Sequence, residues 1–365
     1  MSKSVISYQS GPFATVSMGL PGDHEGKTAT RVYFVRGTEK LALIDSGLLG
    51  GLPALEQAFE DLNIPRSSLD LLLLTHEHMD HVGNNGWLKA ETGCTILGHE
   101  GRADRVADNM LNAKAIVHAF PEGEHFDLNA EYLDWMGPEE GPIEEFIKDG
   151  DVIDLGGGVE LEVVEVLGHS MGEVGFFERS TKTLIIADPL LPPFNPVLYL
   201  YEDPNVMRAT FDKIEAFLAE RDVQAVLFAH DDVKTAAETQ ELVDDCRARV
   251  AKVEASMVTH MKANPGISFG DLRDKCCDDQ DMVREWRALV SIDASLKDFV
   301  AKGMAEQRDG GWHYVGCSAS PRGAGIRHHG RADCSLAGSW RGRRHPMGAA
   351  RRNSGPGAGA LRGGV

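Results

Sequence analysis

The chain has 365 residues, 42% of them hydrophobic and 25% charged, with a formal net charge of −19. This is ordinary globular material, long enough for one large core and a smaller second one, and disorder is excluded as a description of the whole. Nine Arg against one Asp follow Gly316, so residues 1–316 carry a net charge near −27, which repels nucleic acid and disfavours polyanionic substrates.

No apolar run approaches the ~18 residues of a membrane-spanning helix. Met1 to Gly11 lacks the basic start and apolar stretch of a signal peptide. A cytoplasmic location with no membrane attachment is therefore expected. The six cysteines (Cys94, Cys246, Cys276, Cys277, Cys317, Cys334) show no CxxC spacing, so neither a disulfide framework nor a zinc ribbon is indicated. The adjacent Cys276 and Cys277 read as helix packing rather than as a redox pair.

Along the first 230 residues, β-branched and leucine-rich runs predict strands at Val32 to Val35, Leu41 to Asp45, Leu69 to Thr75 and Thr95 to Gly98. Further strands are predicted at Leu161 to Val166, Val174 to Glu178, Thr183 to Asp188 and Gln224 to Ala229. Apolar residues at helical spacing predict helices at Leu52 to Leu62 and Asn205 to Glu220. The alternation is that of an α/β protein, here assigned to residues 1–232. Gly156-Gly157-Gly158 has no following helix and reads as a hairpin turn, not a phosphate loop.

Residues 117–148 interrupt the rhythm with aromatics, acids and prolines and read as a surface insertion. Its Phe120, Phe126, Tyr132, Trp135 and Phe146 are candidates for an apolar substrate wall, weighed against a packed excursion with no catalytic part. Residues 233–316 turn mostly helical, ending in Asp309-Gly310-Gly311-Trp312-His313-Tyr314-Val315, which resembles a hairpin or wing. They form the expected small C-terminal domain. From Cys317 the composition becomes Gly, Ala, Arg, Ser and Pro, unable to bury enough apolar surface to order itself, and the tail resembles translation in the wrong frame.

The chemistry concentrates after the leucine run, in His76-Glu77-His78-Met79-Asp80-His81. Three imidazoles and a carboxylate within six residues have no purpose on an ordinary loop, whereas Zn, Fe and Mn sites use these donors. His99, His118, His125 and His313 read as solvated or packed imidazoles. His328 and His329 fall in the tail.

His76-x-His78-x-Asp80-His81 resembles the signature of the metallo-β-lactamase superfamily, and the remaining motifs follow in that family's order. Asp45 in Ile44-Asp45-Ser46-Gly47 matches its strand-end aspartate, and His169 in Gly168-His169-Ser170 its third histidine. Asp188 matches the bridging carboxylate and His230 the last ligand. The resemblance, spanning residues 32–230, implies an αββα sandwich with a small helical, winged-helix-like C-terminal domain. It also implies two divalent ions, zinc first with Fe or Mn as alternatives. His76, His78 and His169 would hold the first, Asp80, His81 and His230 the second, with Asp188 between them. It further implies Asp80 and Asp45 as the catalytic carboxylates, Asp45 acting by orienting a histidine.

What the resemblance implies about activity is hydrolysis of a small thioester, ester or lactone, with a metal-bridging hydroxide as nucleophile. Ala229-His230-Asp231 looks more like the ending of the acyl-homoserine lactonases than like the Gly-His-Gly of glyoxalase-type enzymes. Those lactonases place a tyrosine shortly after the bridging aspartate, whereas this chain has Pro189-Leu190-Leu191-Pro192, with Tyr199 and Tyr201 arriving late. The alternative activity is that of a metal-dependent endoribonuclease or phosphodiesterase, which the acidic core disfavours. The expected partner is a small-molecule substrate, with no nucleic acid; a homodimer is left open.

Overall fold

Val32 and Phe34 are buried on one side of a strand, Tyr33 and Val35 on the other. A strand apolar on both faces must lie between two layers, and this one, β3 (Ala29–Arg36), does. The computed structural model describes residues 6–19, 29–117, 136–137, 140–193 and 196–316, all within one compact unit, Met1–Ala324.

Around β3 a sheet of seven strands runs in spatial order from β1 (Ile6–Ser10) and β2 (Phe13–Gly19) through β3 to β4 (Leu41–Ile44). It continues through β5 (Leu71–Leu73) and β6 (Thr95–His99) to β7 (Glu145–Ile147). Neighbours are antiparallel up to β4 and parallel from β4 to β7. The second sheet holds β8 (Val152–Asp154), β9 (Glu160–Glu165), β10 (Val174–Glu178), β11 (Thr183–Ile186) and β12 (Ala225–Phe228). Its strands alternate in direction until β11 and β12, which are parallel.

Phe13, Tyr33, Val35 and Ile44 of the first sheet meet Leu161, Val163, Phe176 and Ile185 of the second in one buried cluster between the sheets. The outer face of the first sheet packs on Leu55, Ala58 and Phe59 of α1 (Leu52–Asp61). The sheet-side residues Met207, Phe211, Ile214 and Leu218, spaced four, three and four apart, join a helix to the outer face of the second. The expected αββα sandwich is therefore present.

Among the described residues the other α-helices are α2 (Met79–Val82), α3 (Asn85–Thr92), α4 (Ala103–Val106), α5 (Asn109–Val117) and α6 (Pro204–Glu220), the last being the helix on the second sheet. They are followed by α7 (Ala236–Ala263), α8 (Phe269–Asp278) and α9 (Trp286–Ala301). The Asp203 carboxylate caps α6 by accepting from Asn205 N and Val206 N, and Thr235 with Glu238 forms a capping box on α7. The end of α7 packs with α8 and α9 around Met257, Leu272, Cys276, Cys277, Leu289 and Phe299. Cys276 and Cys277 are thus both buried packing residues. The segment read as a hairpin or wing is a hairpin, of β13 (Ala305–Arg308) and β14 (Gly311–Tyr314), whose turn residues Asp309 and Gly310 both have positive φ.

The structure departs from the sequence reading in places that bear on the site. The strand predicted over Leu69 to Thr75 is only Leu71–Leu73, because Asp70 turns its carboxylate to Leu41 N and Thr75 N leaves the ladder for the Asp45 carboxylate. The last part of the supposed insertion is β7, fixed by Glu144, whose side chain accepts from Ile96 N at 3.0 Å and pairs with Lys89 at 2.6 Å. The first sheet also has two strands, β1 and β2, that the periodicity did not announce. Gly156 to Gly158 do form the turn between β8 and β9, all three at positive φ. Phe120, Phe126, Tyr132, Trp135, His118, His125 and everything from Cys317 onward lie outside the described residues. Among the described residues no helix is long and apolar enough to cross a membrane.

Candidate metal centre

The parallel strands β4 and β5 end at Ile44 and Leu73, and the parallel strands β11 and β12 end at Ile186 and Phe228. The residues just beyond these ends are Asp45, His76, Asp188 and His230, so the ends of parallel strands gather the donors at one edge of the sandwich. His76 and His78 lie on the loop after β5, and Asp80 and His81 in the single turn of α2. His169 comes from the loop between β9 and β10. The residue before it, Gly168, has φ +126°, and a Cβ there would sit 2.7 Å from the Met207 backbone, so only glycine lets this loop close on α6.

All seven sequence-predicted ligands converge. His76 with His78 and His169, His76 with His81 and Asp188, and Asp80 with His81 and His230 each form a group whose donor atoms lie within 4.8 Å of one another. His78 Nδ1 is 3.0 Å from both His76 Nε2 and His169 Nε2. His230 Nε2 is 3.2 Å from Asp80 Oδ2 and 3.4 Å from Asp188 Oδ2. Two donors each 2.0–2.1 Å from a tetrahedral ion are separated by roughly 3.3 Å, so these spacings suit an ion in the gap.

Two buried atoms test the fit independently. His81 Nε2 and Asp188 Oδ1 have no hydrogen-bond partner and lie 3.6 Å apart, too far to bond each other. Orphaned polar atoms in a buried site cost free energy unless something polar lies between them, and a divalent cation satisfies both.

The far side of each ring is held in turn. Asp45 approaches His81 Nδ1 at 2.9 Å while accepting from Thr75 N at 2.8 Å and from Thr75 Oγ1 at 2.7 Å. Nδ1 of His169 donates to Leu200 O, and Nδ1 of His230 to Ala29 O. Thr30 donates to Asp80 Oδ2 at 3.3 Å. Such contacts fix the tautomer and aim the other nitrogen at the gap.

The two clusters differ electrostatically. Burial, reinforced by neighbouring imidazoles, holds His76 well below the usual imidazole range and brings His169 down to about 4. Burial lowers His78 as well. Those three rings are neutral at physiological pH, ready to donate lone pairs. At His230 burial is overcome by Asp188 and Asp80, which raise it to about 10, and at His81 by Asp80, Asp188 and Asp45. In the metal-free protein these two rings carry protons that balance the carboxylates.

Two further acids at the centre were missed by the sequence reading. Glu77, fully buried between two ligands, bonds Ser170 Oγ at 2.5 Å and Arg105 at 3.0 Å. Glu173, also fully buried, accepts from Asp188 N at 2.8 Å through Oε1 and leaves Oε2 without a partner. Burial pushes its carboxyl well above the carboxylate range. The composition of the Glu77 position, an acid inside a ligand motif, was the one available clue.

A cavity of about 280 Å³ opens beside the histidine cluster, with His78, His169, Arg102, Arg105 and Glu202 on one side. Trp286, Val290 and Ala294 of α9, with Met171 and Leu200, supply its apolar side. Phe146 does not line it and stands 59% exposed on β7. Tyr199 and Tyr201 are buried, their hydroxyls engaged by Pro189 O and Ser295 Oγ respectively, so neither presents a free phenol to the cavity.

The sequence profile described as Metallo-beta-lactamase superfamily matches residues 26–242. Hydroxyacylglutathione hydrolase GloC of Haemophilus influenzae is 31% identical over 149 residues, 41% of this chain and 60% of that protein. Hydroxyacylglutathione hydrolase of Methylococcus capsulatus is 29% identical over 154 residues, 42% of this chain and 44% of that protein. The chain thus spans less than two thirds of these relatives. A metallo-beta-lactamase family protein from Thermus thermophilus superposes with a TM-score of 0.67 at 17% identity, covering 83% of this chain and 98% of the other. A Beta-lactamase domain protein from Burkholderia ambifaria has the same score and identity, covering 85% and 93%. At that identity the likeness is one of fold.

Proposed function

Because the chain belongs to the metallo-β-lactamase superfamily, we propose that it is a metal-dependent hydrolase of a small carbonyl substrate, a thioester, ester or lactone. The observation that carries this reading is the convergence of His76, His78, His169, Asp80, His81, Asp188 and His230 around atoms that have no other partner. Two divalent ions, zinc first given the imidazole-rich donor set, would there polarise a carbonyl and acidify water.

The chain's own groups do the rest. Asp45 and Thr75 hold His81, Thr30 holds Asp80, and the carbonyls of Leu200 and Ala29 hold His169 and His230. Asp80 Oδ2, 3.2 Å from His230 Nε2 and accepting from Thr30, is kept ionised despite burial by His81 and His230 and would serve as the carboxylate donor beside the reacting water. Trp286, Val290 and Ala294 offer an apolar wall that excludes water from the acyl group.

The hydroxyacylglutathione hydrolases among the relatives act on a thioester by name, which favours that bond among the three. Phosphodiester cleavage is less well supported, because Arg102 and Arg105 beside His78 are already ion-paired with Glu77 and Glu202. Metal analysis of the purified protein, paired with a screen of acyl thioesters, lactones and RNA, tests the proposal. Turnover of a carbonyl substrate that is lost with chelator is expected; metal-dependent RNA cleavage with no carbonyl turnover overturns it.

A further inference from the structure

Three of the ligands sit next in sequence to a cluster of buried charge. Glu77 lies between His76 and His78, and Ser170 follows His169. The Glu77 carboxylate is fully buried; Oε2 accepts from Ser170 Oγ at 2.5 Å and Oε1 from Arg105 Nη1 at 3.0 Å, with Arg102 Nε at 3.4 Å. The same two arginines reach Glu202, whose Oε1 lies 3.1 Å from Arg105 and whose Oε2 pairs with Arg102 at 2.5 Å and accepts from Met171 N at 3.0 Å. Asn112 of α5 donates to Glu77 O at 2.7 Å, and Ser170 Oγ accepts from Gly172 N at 3.0 Å.

Two acids and two guanidinium groups thus join four separate segments: the loop after β5, the loop before β10, α4 with the turn leading into it, and the bend before α6. A network anchored on one fully buried carboxylate is strongly directional, since the Glu77 oxygens are held by Ser170 and Arg105 and a shift of either loop would strand that charge. The Asp80, His81 and His230 cluster has different supports, namely Asp45, Thr30 and Ala29 O.

We infer that Glu77 is a positioning residue, which through its bond to Ser170 locks the loop of His76 and His78 to the loop of His169 and so sets the geometry of the histidine cluster alone. The inference rests on the reading that these histidines hold an ion, and is independent of which bond the enzyme cleaves. Its signature is selectivity. Deleting a group that orients metal ligands typically weakens binding ~10- to 100-fold. A merely structural defect would weaken both clusters alike.

The test is Zn²⁺ affinity of chelator-stripped full-length protein, by competition with a chromophoric chelator, in two backgrounds. Asp80→Ala leaves the histidine cluster as the intact one, and His78→Ala leaves the other. Adding Ser170→Ala should weaken Zn²⁺ binding at least about tenfold in the Asp80→Ala background, and less than about threefold in the His78→Ala background. Glu77→Gln, which keeps the volume but cannot neutralise both arginines, should show the same selectivity, and it carries the comparison if Ser170→Ala does not fold. Equal weakening in both backgrounds, or none in either, overturns the assignment. Because the readout is affinity, a protein with no thioesterase or lactonase activity would still decide it.

Discussion

Asp45 Oδ2 stands 2.9 Å from His81 Nδ1, turning Nε2 of the same ring toward Asp188. Asp45 has φ +59°, a left-handed conformation that Asp and Asn accept more readily than other side chains. Asp45→Asn therefore isolates the carboxylate's effect from backbone strain. It should lower metal affinity or turnover by ~10- to 100-fold while leaving thermal stability of the metal-loaded protein within a few degrees. Full affinity and activity in the Asp45→Asn variant would show that His81 does not depend on this contact.

Asp188 faces His81, His169 and His230 at 3.4 to 3.6 Å, sharing itself between both clusters. Asp188→Ala should reduce bound metal from about two ions per chain towards one and lower turnover by orders of magnitude. Elemental analysis beside a kinetic assay reads both, and two tightly held ions in this variant would contradict the assignment.

The protonation contrast between the clusters gives a pH prediction. His81 and His230 hold protons in the metal-free state, His230 up to about 10, whereas His169 has lost its proton above about 4. Full metal loading at pH 7.5 should release at least about two protons, from His81 and His230, with any further proton coming from metal-bound water, measurable with an indicator dye and mostly with the second ion. In the metal-free protein, the raised value at His230 contributes stability that is complete below the unfolded value near 6.5 and is lost as pH climbs to about 10. The lowered value at His169 acts oppositely, its contribution being lost as pH falls from about 6.5 to 4. Chemical denaturation of the stripped protein should thus find maximal stability between these limits; a monotonic rise to pH 10 would contradict it.

Trp286 opens α9 and lines the cavity beside His78. Trp286→Ala removes a large part of the apolar wall without touching a donor atom. KM for an acyl substrate should rise about tenfold or the preferred acyl length change, with metal content unaltered. Lost metal, or unchanged kinetics across acyl lengths, would place the substrate elsewhere.

The ligand set was legible because its chemistry is dense and local: four donors in His76 to His81 need no knowledge of the fold to be noticed. The inter-sheet core was legible where Val32 to Val35 are apolar on both faces. By contrast, β2 escaped notice because Thr15 and Ser17 interrupt its apolar run, although Thr15 is buried. The parts of Glu77 and Glu173 could not be read from the sequence, since burial of a carboxylate depends on partners that only folding supplies, such as Arg105 twenty-eight positions after Glu77. The cavity wall was sought in the aromatic segment at 117–148, yet among the described residues α9 supplies it, a helix whose amphipathic pattern looks the same whether it faces a core or a substrate.

Trp286, Val290, Asp293, Ala294 and Lys297 reach the cavity from one face of α9, while every metal donor comes from other elements. On the proposed reading, the metal donors and the α9 part of the substrate wall are therefore inherited through separate stretches of the gene. Drift along five codons of a single helix can present the same reactive centre with new substrates, so two descendants with identical donors need share no substrate at all.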